Sequence, residues 1–90
     1  MELEWDAEKR DAVLASRGVD FADAEYVLMD VPTPQATQHR DGEIRHVTIG
    51  MGPQGRLLTV IWTERGDKIR IITAWKSNER EQQRYWQDRR

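Results

Sequence analysis

Between Leu57 and Ala74 the apolar side chains fall into two blocks separated by a charged break, Glu64-Arg65-Gly66-Asp67. Leu57–Trp62 and Ile69–Ala74 are rich in β-branched and aromatic residues, and the glycine in the break can take the positive φ of a tight loop. The pattern predicts two antiparallel strands joined by a hairpin turn. In the second strand, period-2 alternation sends Ile69, Ile71 and Thr73 to one face and Lys68, Arg70 and Ile72 to the other. One face is therefore core and the other carries cations, a combination suited to gripping a phosphodiester backbone.

The remaining pattern supplies the elements around this spine. Glu2–Trp5 alternates as a short edge strand, and Asp6 can cap a helix that ends at Gly18, with a thin apolar stripe of Ala7, Val13 and Leu14. Asp20 can cap a second helix, on which Phe21, Ala24, Val27 and Leu28 recur at helical spacing. From Asp30 to Glu43, two prolines, a glycine and no periodicity predict an irregular surface connection. Arg45–Met51 alternates as a strand, with Arg45, Val47 and Ile49 on one side and His46 and Thr48 on the other. Gly52-Pro53-Gln54-Gly55 then turns the chain into the spine. Asn78 followed by Glu81 forms a capping box for a terminal helix through Arg89, and Tyr85 shares a face with Glu81. The predicted order is a short strand, two helices, a three-stranded antiparallel meander and a helix. That is an α+β layer fold, a single domain over residues 1–90, with its helices gathered on one face of the sheet.

Ninety residues with 38% hydrophobic content leave a small core, so a partner has stability to contribute. The absence of cysteine excludes a disulfide framework and a thiolate zinc site, and His39 and His46 are too few for a metal centre; no metal or other cofactor is expected. No apolar run approaches the roughly 20 residues that span a bilayer. The N-terminus MELEWDAEKR lacks the basic start and apolar middle of a signal peptide, so the expectation is a cytoplasmic protein without membrane contact. The net charge of −2 hides a split. Residues 1–30 hold nine acids and three bases, for −6, whereas residues 31–90 hold seven acids and eleven bases, for +4. An RNA-binding face on the second half fits this asymmetry, as does ordinary solvated surface charge.

The residues Trp5-Asp6-x-x-Lys9, Gly18-Val19-x-Phe21, His39-x-x-Gly42-Glu43-x-Arg45, Gly50, Gly55-Arg56-Leu57-x-x-Val60, Arg65, Ile69-Arg70-Ile71-Ile72-x-Ala74 and Glu81-x-x-x-Tyr85 carry a likeness across nearly the whole chain. In order and spacing they resemble the BrnT toxin family. The resemblance implies a RelE-like fold and a ribonuclease toxin of a type II toxin–antitoxin pair that inhibits translation. It also implies a BrnA-like antitoxin that represses its operon through a ribbon-helix-helix domain, so that DNA is reached only through the antitoxin. The chain departs from the family pattern at Ser16-Arg17, where a Lys-His pair is usual, at Val13, where asparagine is usual, and at Trp75, where an arginine is usual. In a regular strand Trp75 points to the Ile69/Ile71 side, opposite Arg70.

Metal-free RNA cleavage needs a group to take the proton of the 2′-hydroxyl, one to protonate the leaving oxygen, and cations against the phosphate. Arg65 at the hairpin and Arg70 beside it are the first choices for the cations, since guanidinium binds phosphate bidentately. The alternative is a turn residue and an exposed cross-strand partner. Arg45, Arg56 and Lys76 are candidate RNA contacts. His39, in the long connection, is the candidate proton shuttle, and Tyr85 a phosphate donor or half-buried core. Trp75 and Trp86 are candidate antitoxin anchors, while Trp5 and Trp62 belong to the core. Two functional classes follow: an endoribonuclease toxin, or a catalytically impaired toxin-like module that acts only through its antitoxin complex.

Overall fold

The computed structural model describes residues 1–30 and 36–89. Strand β1 (Glu2–Glu4) leads to Asp6, whose carboxylate accepts the Glu8 and Lys9 amides and starts helix α1 (Ala7–Arg17). Gly18 stops α1 in the left-handed conformation that a side chain disfavours, φ 69°. Asp20 then caps a 3₁₀ turn, Phe21–Asp23, that runs into α2 (Ala24–Asp30). Its carboxylate also receives two hydrogen bonds from Arg10, at 3.1 and 2.8 Å, which tie α1 to this turn and hold the Asp20 carboxyl below the usual carboxylate range.

The sheet comprises β1, β2 (Ala36–Arg40), β3 (Glu43–Met51), β4 (Leu57–Arg65) and β5 (Lys68–Lys76), in the spatial order β1-β5-β4-β3-β2. β1 runs parallel to β5 and the other pairings are antiparallel. Strand β2 corrects the expectation of an irregular Asp30–Glu43 connection; the part of that expectation on residues 31–35 lies outside the described residues. Arg40 pairs with Glu43 around Asp41-Gly42, both at positive φ, 52° and 74°. Two central residues with φ above zero make a type I′ hairpin, for which Asp-Gly is a favoured pair.

The core lies between one face of the sheet and the first two helices. Val13, Val19, Phe21, Ala24 and Val27 meet Leu58, Val60, Trp62, Ile71 and Ala74. α2 approaches β3 so closely that a Cβ on Gly50 would lie 2.8 Å from the Val27 carbonyl oxygen, so Gly50 faces α2. Its neighbour Ile49 faces the other way, where it clusters with Leu57 and Tyr85 of α3 (Glu79–Gln87). α3 therefore packs on the face opposite α1 and α2, which corrects the expectation of three helices on one face. The expected Asn78–Glu81 capping box is present.

β5 carries one residue too many for a regular ladder. Trp62 pairs with Ile71 and Ile61 with Thr73, leaving Ile72 as a bulge. Ile69 and Ile71 lie on the core side with Trp62, but beyond the bulge it is Ala74 that rejoins the core. Thr73 and Trp75 thus share the opposite face with Arg70, the reverse of the parity of a regular strand.

Asp30 fastens α3 to the rest. Its Oδ2 accepts the Met51 amide at 2.9 Å, the Tyr85 hydroxyl at 2.7 Å and Arg89 Nη2 at 3.0 Å. Burial opposes the charge on Asp30, yet these donors together hold its carboxyl below the usual range. The stabilisation is then fully present above the ordinary aspartate pKa of about 3.9 and is lost as pH falls below it. Asp30→Asn is expected to cost about 1–3 kcal/mol near neutral pH. Urea melts of both proteins across pH should show this difference shrinking towards zero in acid, and a difference that instead grows in acid would contradict the assignment.

Candidate functional site

The face bearing α3 is covered only at one end, and the uncovered end carries the cations. Thr63 of β4 pairs with Arg70 of β5, and continuing the β3–β4 register places Arg45 on the other side of Thr63. The two arginines thus flank one central residue in a row across three strands, about 10 Å apart at their Cα atoms. Arg65, two residues beyond Thr63, shares its face. The three guanidinium-bearing chains converge on a cavity of about 210 Å³, lined also by Asp6, Lys9, Ile71 and Ile72. Three arginines and a lysine meet one aspartate there, and that aspartate is already bonded to the first amides of α1.

The acidic neighbours of these arginines are loosely placed. Glu43 reaches Arg45 Nε at 3.3 Å through Oε1 and Arg65 Nη2 at 3.4 Å through Oε2, and Glu4 stands 3.8 Å from Arg70. Each contact leaves most of the guanidinium fork free for a second acceptor, the geometry with which arginine binds phosphate.

Arg45, Arg65 and Arg70 are the predicted site residues that the fold brings together. His39 pairs with Ile44 and lies on the opposite face, exposed. Lys76 pairs with the core residue Leu58 and shares its side of the sheet. Arg56 leaves the arginine group altogether: both of its Nη atoms donate to the Gly18 carbonyl at 3.4 Å, closing the end of α1.

Tyr85 is buried, its hydroxyl occupied by Asp30 and its ring covered by the Arg89 guanidinium at 3.8 Å. Burial, then the Asp30 carboxylate, push its phenol above its ordinary range. Trp75 lies on the Arg70 face, where its indole N–H donates to Glu81 at 3.1 Å. Trp86 is 53% exposed and packs edge-on against Tyr85.

Lys9 lines the cleft and Glu43 borders it through Arg45 and Arg65, although sequence reasoning assigned neither a role. For Glu43 the signal depends on the strand's start: residues two apart on a strand share a face, so Glu43 stands beside Arg45 once the strand reaches back to Glu43, as it does here.

A sequence profile of the family described as "Ribonuclease toxin, BrnT, of type II toxin-antitoxin system" matches residues 5–81. Among solved structures the chain is similar to the crystal structure of the Brucella abortus ribonuclease toxin BrnT, with a TM-score of 0.65 and 24% sequence identity. The match covers 88% of this chain and 99% of that one, and at this identity the likeness is one of fold. No curated protein matches the chain.

A cleft of this charge should bind a nucleic-acid backbone by releasing counterions. For a non-cleavable 2′-O-methyl RNA oligonucleotide, three arginine contacts predict a log–log salt slope of about −2, with each Arg→Ala change at 45, 65 or 70 flattening it by about 0.7. Fluorescence anisotropy across a salt series measures both. Unchanged affinity and slope in folded Arg65→Ala and Arg70→Ala proteins would place RNA elsewhere.

Proposed function

The chain belongs to the BrnT family of ribonuclease toxins of type II toxin–antitoxin systems, and from that premise we propose that it cleaves RNA without a metal ion, its phosphate site being the cleft of Arg45, Arg65 and Arg70. The observation that carries this reading is the convergence of three arginines and Lys9 on one cavity at the uncovered end of the sheet. Fixed guanidinium groups stabilise the charge that builds on a phosphorane without reorganising, and a lining this cationic is poor ground for a divalent metal. Cleavage then proceeds by attack of the 2′-hydroxyl on the neighbouring phosphorus and leaves a 2′,3′-cyclic phosphate. Expressed alone, the protein would act on cellular RNA and arrest translation.

Type II toxins are held by an antitoxin, and we take that partner to be BrnA-like, with a ribbon-helix-helix domain that makes the contact to DNA. An acidic segment over the arginine cleft would both steer association and block phosphate. Trp86, 53% exposed on α3, is the candidate aromatic anchor, since Trp75 is already engaged by Glu81. One observation favours the second reading, a module that works only through the antitoxin complex: Trp75 lies on the arginine face where the family usually has a further arginine.

Purified protein incubated with single-stranded RNA in EDTA separates the two readings. Cleavage that persists in chelator, yields cyclic phosphate ends and disappears in Arg65→Ala and Arg70→Ala supports the ribonuclease. Activity lost in chelator and restored by Mg²⁺ would overturn the mechanism, and no cleavage by folded protein under any condition would favour the module. Hydrogen exchange on the antitoxin complex is expected to slow in the β4–β5 hairpin and α3. Protection confined to α1 and α2 would contradict docking over the cleft.

A further inference from the structure

A cleft lined with cations still lacks a group to receive the proton of the attacking hydroxyl. His39 is on the other face of the sheet. Of the carboxylates at the cleft, Asp6 has its Oδ1 committed to the Glu8 and Lys9 amides, at 3.0 and 3.4 Å. Glu43 is held differently. Its two oxygens each touch one arginine of the phosphate site, at 3.3 and 3.4 Å, and its side chain keeps 27% of its surface accessible. It lines a second cavity of about 430 Å³ with Gly42, Ile44, His46, Thr63 and Glu64, and it meets the arginine cleft through its contacts with Arg45 and Arg65.

Arg45 meets Glu43 through Nε alone, and among the described residues its two Nη atoms have no other partner. A phosphate oxygen bound at about 2.8 Å to the Nη that lies on the same side as the Nε–H would lie within roughly 5 Å of the Glu43 carboxylate. One guanidinium can therefore hold the base and the scissile phosphate side by side, with the 2′-hydroxyl between them. Resting on the ribonuclease reading above, we propose that Glu43 is the proton acceptor of the cleavage step and the internal anion that occupies the arginines when RNA is absent.

In that step the Glu43 carboxylate takes the 2′-hydroxyl proton as the 2′-oxygen bonds to phosphorus. The bond from phosphorus to the 5′-oxygen breaks, and the leaving oxygen takes a proton from solvent water. Glu43 then returns its proton to solvent, so the products are a 2′,3′-cyclic phosphate and a 5′-hydroxyl with no other reagent consumed. General-base catalysis of this kind contributes about 10²–10⁴ in rate. The same carboxylate competes with phosphate for Arg45 and Arg65, so its removal has opposite effects on chemistry and on binding.

The test is cleavage by Glu43→Gln and Glu43→Ala proteins beside binding of the 2′-O-methyl oligonucleotide. Glu43→Gln should lower kcat by a factor of about 100 or more. Oligonucleotide affinity should stay equal or rise, and the loss of kcat/KM on the acid side should flatten. Formate should restore part of the activity of Glu43→Ala. Cleavage within threefold of wild type, or affinity falling in step with kcat and no rescue by formate, would overturn the assignment; the second pattern would mean that Glu43 merely positions the arginines. If Arg65→Ala and Arg70→Ala abolish cleavage while Glu43→Gln does not, only the role of Glu43 fails. If the arginine variants also cleave normally, the cleft itself is not the active site.

Discussion

β4 is covered on both of its faces, and the rest of the molecule is arranged to cover it. Leu58, Val60 and Trp62 lie under α1 and α2, while Leu57 and Thr59 lie on the side where α3 packs. A strand buried on both sides must satisfy every polar group it carries. The hydroxyl of Thr59 is paired with Ser77 at 2.8 Å, the indole of Trp62 donates to Thr48 at 2.9 Å, and Thr63 donates to the Ile44 carbonyl at 2.8 Å. Nine residues of helix cannot shield a five-stranded sheet, so α3 covers the end near Ile49 and Leu57 and leaves the end near Thr63 open. The arginine cleft is that uncovered end. Thr63, between Arg45 and Arg70 on its floor, is itself buried and bonded.

The bulge at Ile72 decides what else can stand on that face. Without the extra residue, the positions beyond Arg70 would keep the parity of Ile69 and Ile71, and Ala74 would be turned away from the helices. With it, small Ala74 meets the core and the bulkier Trp75 is moved to the α3 side, where Glu81 receives its N–H. Bulges recur beside functional sites because one inserted residue re-aims every side chain downstream. Here Ile71 and Ile72 are themselves part of the cleft wall.

Much of this was legible in the chain, and the misses share one cause. The β4–β5 hairpin, the caps at Asp6, Asp20 and Asn78, and the arginine side of β5 as far as the bulge all follow from local pattern. Strand β2 did not, because all five of its residues are exposed and an edge strand wet on both faces has no alternation to read. Its signal was the Asp41-Gly42 turn, hidden by the prolines upstream. The side of the sheet taken by α3 was not legible either, since an amphipathic helix reveals which stripe is apolar but not which surface receives it. His39, Arg56 and Lys76 left the arginine group for related reasons: strand parity, a non-local bond to Gly18 and the bulge are tertiary facts. Arg45, Arg65 and Arg70 come together because pairing of neighbouring strands sufficed to align them.

The departures from the family pattern gain a meaning from the same geometry. Beyond its three residues paired to β1, β5 has a free outer edge, and Arg17 supplies donors there, to Thr73 Oγ1 at 3.3 Å and the Ala74 carbonyl at 3.2 Å. On the sheet face of the same segment, Trp75 is tied to Glu81, which also accepts the Asn78 amide of the α3 cap. Two of the departing positions therefore anchor the post-bulge half of β5, one from the α1 side and one from the α3 side. Trp75 has its one N–H donor turned onto Glu81. Arg17 spends Nη1 on Thr73 and Ala74 at the outer edge of β5 and is not among the residues that line the arginine cleft. Cationic chemistry in this chain accordingly concentrates before the bulge, where Arg45, Arg65 and Arg70 converge and their acidic neighbours sit at 3.3 to 3.8 Å, loose enough to be exchanged for a phosphate.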